Sequence, residues 1–110
     1  MKKKQENYLD RIPKIPADLS FAEEDGVVTI RRENKGLFNR IAQKCFRRPV
    51  YTYVSLDAFG SFVFRAIDGV RDVKAIGDLV EEEFGEKAAP VYSRLSTFVE
   101  QLRLNGFVEF

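Results

Sequence analysis

Val50-Tyr51-Thr52-Tyr53-Val54 is almost wholly β-branched or aromatic, and its composition and length predict a strand that sets Tyr51 and Tyr53 on one face. Three amphipathic helices follow it in close order. Leu56, Phe59, Phe62, Val63 and Ile67 make the apolar stripe of the first, which Asp68-Gly69 ends. Val73, Ile76, Leu79, Val80 and Phe84 make the stripe of the second, with Asp72 as N-cap, Gly85 as stop and the acid run Glu81-Glu82-Glu83 on the exposed side. Pro90 suits the first turn of the third, whose stripe is Val91, Leu95, Phe98, Val99 and Leu102 and which Gly106 ends. Phe107-Val108-Glu109-Phe110 then alternates as a short closing strand.

On the N-terminal side, Leu37, Phe38, Ile41, Ala42, Cys45 and Phe46 recur at helical spacing, which predicts an inserted amphipathic helix over 36–47 that stops before Pro49. Further back, Leu19-Ser20-Phe21-Ala22 and Val27-Val28-Thr29-Ile30-Arg31 are β-favouring runs separated by Glu23-Glu24-Asp25-Gly26, whose Asp-Gly pair signals a hairpin. Residues 1–17 carry the charge run Lys2-Lys3-Lys4 and the breakers Pro13 and Pro16, and read as a flexible tail from which Tyr8, Leu9, Ile12 and Ile15 can dock. A single domain over 18–110 remains. Each of its elements has one apolar face, so the hairpin and the third strand are expected to form a small antiparallel sheet packed on a three-helix cluster. This is an α+β, winged-helix-like architecture.

Composition narrows the chemistry. With 110 residues and 45% hydrophobic content, the chain can bury one core. No apolar run approaches the length of a membrane span and no h-region follows Met1, so a cytoplasmic protein without membrane contact is expected. One cysteine and no histidine leave no internal disulfide, no Cys/His zinc site and no His-dependent triad. Asp57, Asp68 and Asp72 sit at helix ends, where capping explains them, and Glu81 to Glu83 lie on a solvated face. Cys45 falls on an apolar stripe and reads as a small buried hydrophobe. The glycines stand at turns and helix stops rather than in a phosphate loop. No catalytic residue, metal site or cofactor is expected, and the protein does not read as an enzyme.

Two surfaces stand out. Residues 1–50 hold 12 basic against 7 acidic side chains and residues 51–110 hold 6 against 10, so positive charge gathers in the first half, including Arg40, Lys44, Arg47 and Arg48 beside the inserted helix. The second surface is the strand at 50–54 with the third helix, where a peptide can add as a strand. Tyr51 and Tyr53 face outward if Val50, Thr52 and Val54 face the core, and are core if the faces are reversed.

The segment Tyr53-Val54-Ser55-Leu56-Asp57, the helix ending at Ile67-Asp68-Gly69, Val73-Lys74-Ala75-Ile76 with Leu79 and Phe84, and the close Leu102-Arg103-Leu104-Asn105-Gly106-Phe107-Val108 resemble the PqqD family over about residues 19–110. That resemblance implies a peptide-recognition element in which the leader of a ribosomally made precursor adds to the sheet and packs on the third helix. A modifying enzyme, of radical-SAM type, is the implied second partner. Carried over by position, the peptide-binding residues are Tyr51, Thr52, Tyr53, Val54, Val91, Tyr92, Leu95 and Phe98. Two departures stand against it. Asp57 replaces the family's usual Asn, and the helix 36–47 is an insertion that either covers the strand edge or offers Arg40, Lys44, Arg47 and Arg48 to a partner. The competing reading is a winged-helix DNA-binding regulator with Arg94, Gln101 and Arg103 in a major groove, but one face with so few donors, opposed by Glu100, disfavours nucleic acid.

Overall fold

Asp25 and Gly26 both take positive φ, 54° and 81°, which is what a two-residue type I′ turn demands, and the chain doubles back there. The strands on either side are β1 (Ser20–Glu24) and β2 (Val27–Glu33), paired from Glu24↔Val27 to Ser20↔Arg31. Glu23 and Glu24 therefore belong to the strand and not to the turn. A third strand, β3 (Tyr51–Ser55), pairs antiparallel with β2 from Thr29↔Ser55 to Glu33↔Tyr51, completing a sheet of order β1-β2-β3. In this computed structural model residues 8–33 and 51–110 are described, and they divide into one unit over Asp18–Ser61 and another over Phe62–Phe110 with the N-terminal residues to Ala17. The predicted helix 36–47, Cys45 and the first strand residue Val50 lie outside the described residues.

Within the first unit, opposite residues of an antiparallel pair share a face, so Val28, Ile30 and Val54 lie on one side and Thr29, Arg31, Tyr51, Tyr53 and Ser55 on the other. Val28 and Ile30 are 1% and 0% exposed, which identifies the buried side. Past β3, the Asp57 carboxylate accepts the Gly60 amide at 2.7 Å and caps the helix α1 (Ala58–Ala66), the capping role expected of it. One turn in, Ser61 is fully buried. Its hydroxyl accepts the Val28 amide at 2.9 Å and donates to the Leu56 carbonyl at 3.2 Å. Leu56 in turn donates to the Val28 carbonyl at 2.9 Å, so the last rung of the β2–β3 ladder has one backbone bond and one side-chain splice.

The second unit is helical. Asp72 accepts the Ala75 amide at 2.8 Å and caps α2 (Val73–Phe84), as its sequence predicts, and Gly85 at φ 58° donates back to the Glu81 carbonyl. A 3-10 turn over Gly85–Ala88, which the sequence did not suggest, leads to Pro90, which sits at the N-cap rather than inside the first turn of α3 (Val91–Leu104). Gly106 at φ 80° donates to the Arg103 carbonyl and Phe107 to the Leu102 carbonyl, a Schellman close in which Leu102 and Phe107 are both buried. Val73, Ile76, Val80, Val91, Leu95 and Val99 are the buried stripe of the two helices.

Two expectations need correction. Residues 8–16, read as a flexible tail, are tied down: Tyr8–Asp10 form a 3-10 turn, the Arg11 carbonyl accepts the Val73 amide at 2.9 Å, and Pro13 is fully buried. Prolines disfavour helix and ladder, yet Lys14 and Ile15 between them still have amides and carbonyls to satisfy. Lys14 pairs both of its own with Glu109, at 2.8 and 2.9 Å. The closing strand 107–110 is reduced to this isolated bridge.

Candidate functional site

Leu56 turns its amide toward β2, and in an antiparallel ladder that orientation alternates. Val54 and Thr52 therefore point their backbone groups at β2, and Tyr51, Tyr53 and Ser55 point theirs away. Among the described residues nothing pairs with that side of β3. Free edges invite pairing, and proteins blunt them with lysine, proline or a bulge. The sequence Tyr51-Thr52-Tyr53-Val54-Ser55 contains none of these, whereas the other outer strand, β1, carries Glu23 and Glu24.

The side chains above this edge are aromatic. Tyr53 is 64% and Tyr51 37% exposed, which resolves the choice of faces: both tyrosines look outward, and Val54 lies on the side of Ile30. Arg31 stacks on the Tyr51 ring with its guanidinium carbon 4.5 Å from the centroid, and its Nη2 donates to the Ser20 hydroxyl at 3.3 Å. Beside it a depression of about 370 Å³ is lined by Ser20, Phe21, Ala22, Thr29, Arg31 and Tyr53. Thr29 and Ser55 share a hydroxyl hydrogen bond at 3.1 Å across the same face.

On the third helix the expected contacts fare differently. Val91 is 6% and Leu95 0% exposed, so both are core of their own unit and offer no surface to a ligand. Tyr92 is half-buried, with its hydroxyl donating to Asp78 and its ring against Gly77; Phe98 is half-buried too. The Asp78 hydrogen bond is also the first cause that pushes the Tyr92 phenol up to about 12. The apolar period that marks a helix for burial is the same one a groove floor would show, and here burial accounts for two of the four residues. Arg40, Lys44, Arg47 and Arg48 lie outside the described residues. Two of the three donors proposed for a DNA groove are engaged within the protein: Arg94 donates to the Lys87 carbonyl at 3.2 Å, and Arg103 forks onto Glu100 at 2.5 and 3.0 Å. The regulator reading finds no support.

Sequence reasoning missed the cluster that this fork anchors. Tyr8 donates to Glu100 at 3.0 Å, its ring meets Phe110 edge-on, and Arg11 lies over both rings. Partial burial first, and then the Glu100 carboxylate, push the Tyr8 phenol up to about 12, while Arg103 and then Tyr8 draw Glu100 down to about 2. A native phenol that keeps its proton above the ordinary value of 10 stabilises the fold fully below pH 10, and that contribution is lost as pH rises through 12. The stability gap between the protein and its Tyr8→Phe variant is therefore expected to shrink over that window in thermal melts; a gap independent of pH refutes the linkage.

Among the described residues no helix is long and apolar enough to cross a membrane. No curated protein and no solved structure matches the sequence. A family model does, that of coenzyme PQQ synthesis protein D, over residues 48–108. The matched span takes in β3, all three helices and the Schellman close, and leaves the hairpin at 20–33 outside, a shorter reach than the sequence resemblance suggested. The family is associated with precursor-peptide binding in pathways that make PQQ and other products from ribosomally made peptides. More than half of the chain lies within the match, and the protein belongs to the PqqD family.

Proposed function

We propose that this protein is a non-catalytic carrier that takes the leader of a ribosomally made precursor peptide as an added strand on β3 and presents it to a modifying enzyme of radical-SAM type. The observation that carries the reading is the outer edge of β3, unpaired among the described residues, where Tyr51, Tyr53 and Ser55 turn their amides and carbonyls away from the sheet. Main-chain hydrogen bonds to those residues supply affinity, and the alternating side chains of Tyr51, Thr52, Tyr53 and Val54 supply selectivity. Val91 and Leu95 are left out because they are core. Arg40, Lys44, Arg47 and Arg48 are retained as contacts for the enzyme on charge alone.

Strand addition has a signature that other modes of binding lack. Fluorescence anisotropy of labelled peptides from short reading frames beside the gene identifies a ligand, which is then N-methylated one amide at a time. Affinity is expected to fall about tenfold or more at alternate positions and little between them, since only every second amide faces β3. Sensitivity without that period, or full affinity in a folded Tyr53→Asp protein, overturns the edge as the site.

A further inference from the structure

Among the described residues nothing pairs with the outer edge of β3, and that edge is complementary to itself. Its outward-turned residues, Tyr51, Tyr53 and Ser55, are spaced symmetrically about Tyr53. Antiparallel pairing joins residues whose backbone groups both face the partner. A two-fold axis through Tyr53 therefore sets Tyr51 opposite Ser55 of the second copy, and Tyr53 opposite its own counterpart. Every outward amide then meets a carbonyl. We propose that two copies of this chain pair through β3 in this register, closing the edge when no peptide occupies it.

The side chains agree with the register. Tyr53 is 64% exposed and would lie against its own copy on the outward face, an aromatic cross-strand pair of the kind that stabilises sheets, with Tyr51 and its stacked Arg31 flanking on each side. On the opposite face Thr52 meets Val54, a polar-apolar pair of two β-branched residues without charge. No charged side chain occurs in β3, so nothing in the strand repels a second copy. The interface is isologous and closes at two chains. Insofar as leader capture uses the same edge, as proposed above, peptide and second copy exclude each other, and peptide affinity weakens as protein concentration rises.

The residue on the two-fold axis gives a sharp test because it faces itself. Sedimentation velocity of the wild-type protein from about 1 to about 500 μM is expected to show a reversible monomer–dimer equilibrium. Tyr53→Asp and Tyr53→Lys should each be monomeric over that range, since each sets like charges directly opposite. Mixed in equal amounts they should form a heterodimer, because opposite charges then meet at the same point. A synthetic peptide copying residues 50–56 should dissociate the wild-type dimer. A wild-type protein that stays monomeric, or a mixture that fails to associate while both variants keep the wild-type circular dichroism spectrum, overturns the pairing. Leader binding is measured separately at nanomolar protein, where the chain is monomeric, so loss of one result leaves the other readable.

Discussion

Gly77→Ala is expected to destabilise the protein by about 1–2 kcal/mol, although alanine is the better helix former by about 1 kcal/mol. A Cβ at this position of α2 falls 2.5 Å from Cε1 and 2.7 Å from Cδ1 of Tyr92, and 3.3 Å from a methyl of Leu95. The first two distances are inside any real contact, so the ring must move. It is held where it is by the hydroxyl's bond to Asp78, and its neighbour Leu95 has no room to yield because it is fully buried. Overpacking of this kind typically costs about 1–3 kcal/mol, which exceeds the gain in helix propensity. Urea unfolding measures it directly. Combining the change with Tyr92→Ala should remove the clash and recover part of the loss, and a single variant as stable as the parent would show that the two helices separate at little cost.

The second large effect is expected at Ser61. Alanine there removes both the acceptor for the Val28 amide and the donor to the Leu56 carbonyl in a position closed to water. An unsatisfied buried amide costs about 1–3 kcal/mol, and the lost methylene-sized polar group cannot be replaced by solvent without opening the sheet. The local readout is hydrogen exchange. Exchange of the Val28 amide should accelerate by more than that of Ile30, which keeps its ladder bond, while a uniform acceleration would mean that the hydroxyl matters only to global stability.

Much of this architecture is legible in the sequence because single residues carry the instruction. Asp25-Gly26 specifies its turn through two positive φ angles, Asp72 and Asp57 cap through one carboxylate each, and Gly106 ends its helix by accepting a conformation other residues avoid. The direction of Tyr51 and Tyr53 was open because every residue from 50 to 54 favours a strand on either face. Pairing decides it, since Ile30 has one buried side and Val54 lies opposite. Ser61 was not legible. A serine in an apolar helix reads as a tolerated small residue, and only the approach of Val28, distant in sequence, gives its hydroxyl an amide to accept beside the local Leu56 carbonyl. The docking of residues 8–16 was hidden for a related reason: its bonds to Val73 and Glu109 are long-range, and the local pattern records only the prolines. For the third helix the sequence names the stripe correctly but does not say whether a stripe faces core or ligand, and Val91 and Leu95 went to the core.

The clasp between Lys14 and Glu109 joins segments from opposite ends of the sequence, and this sets its place in time. Loop closure over most of the chain carries an entropic cost that the paired amides return only once the helices between them are in position. The clasp is therefore expected to form after the rate-limiting step of folding. Interactions made that late are expected to slow the opening of the native state while leaving the speed of folding almost untouched, so loosening residues 8–16 should shorten how long the folded protein lasts more than it delays its folding.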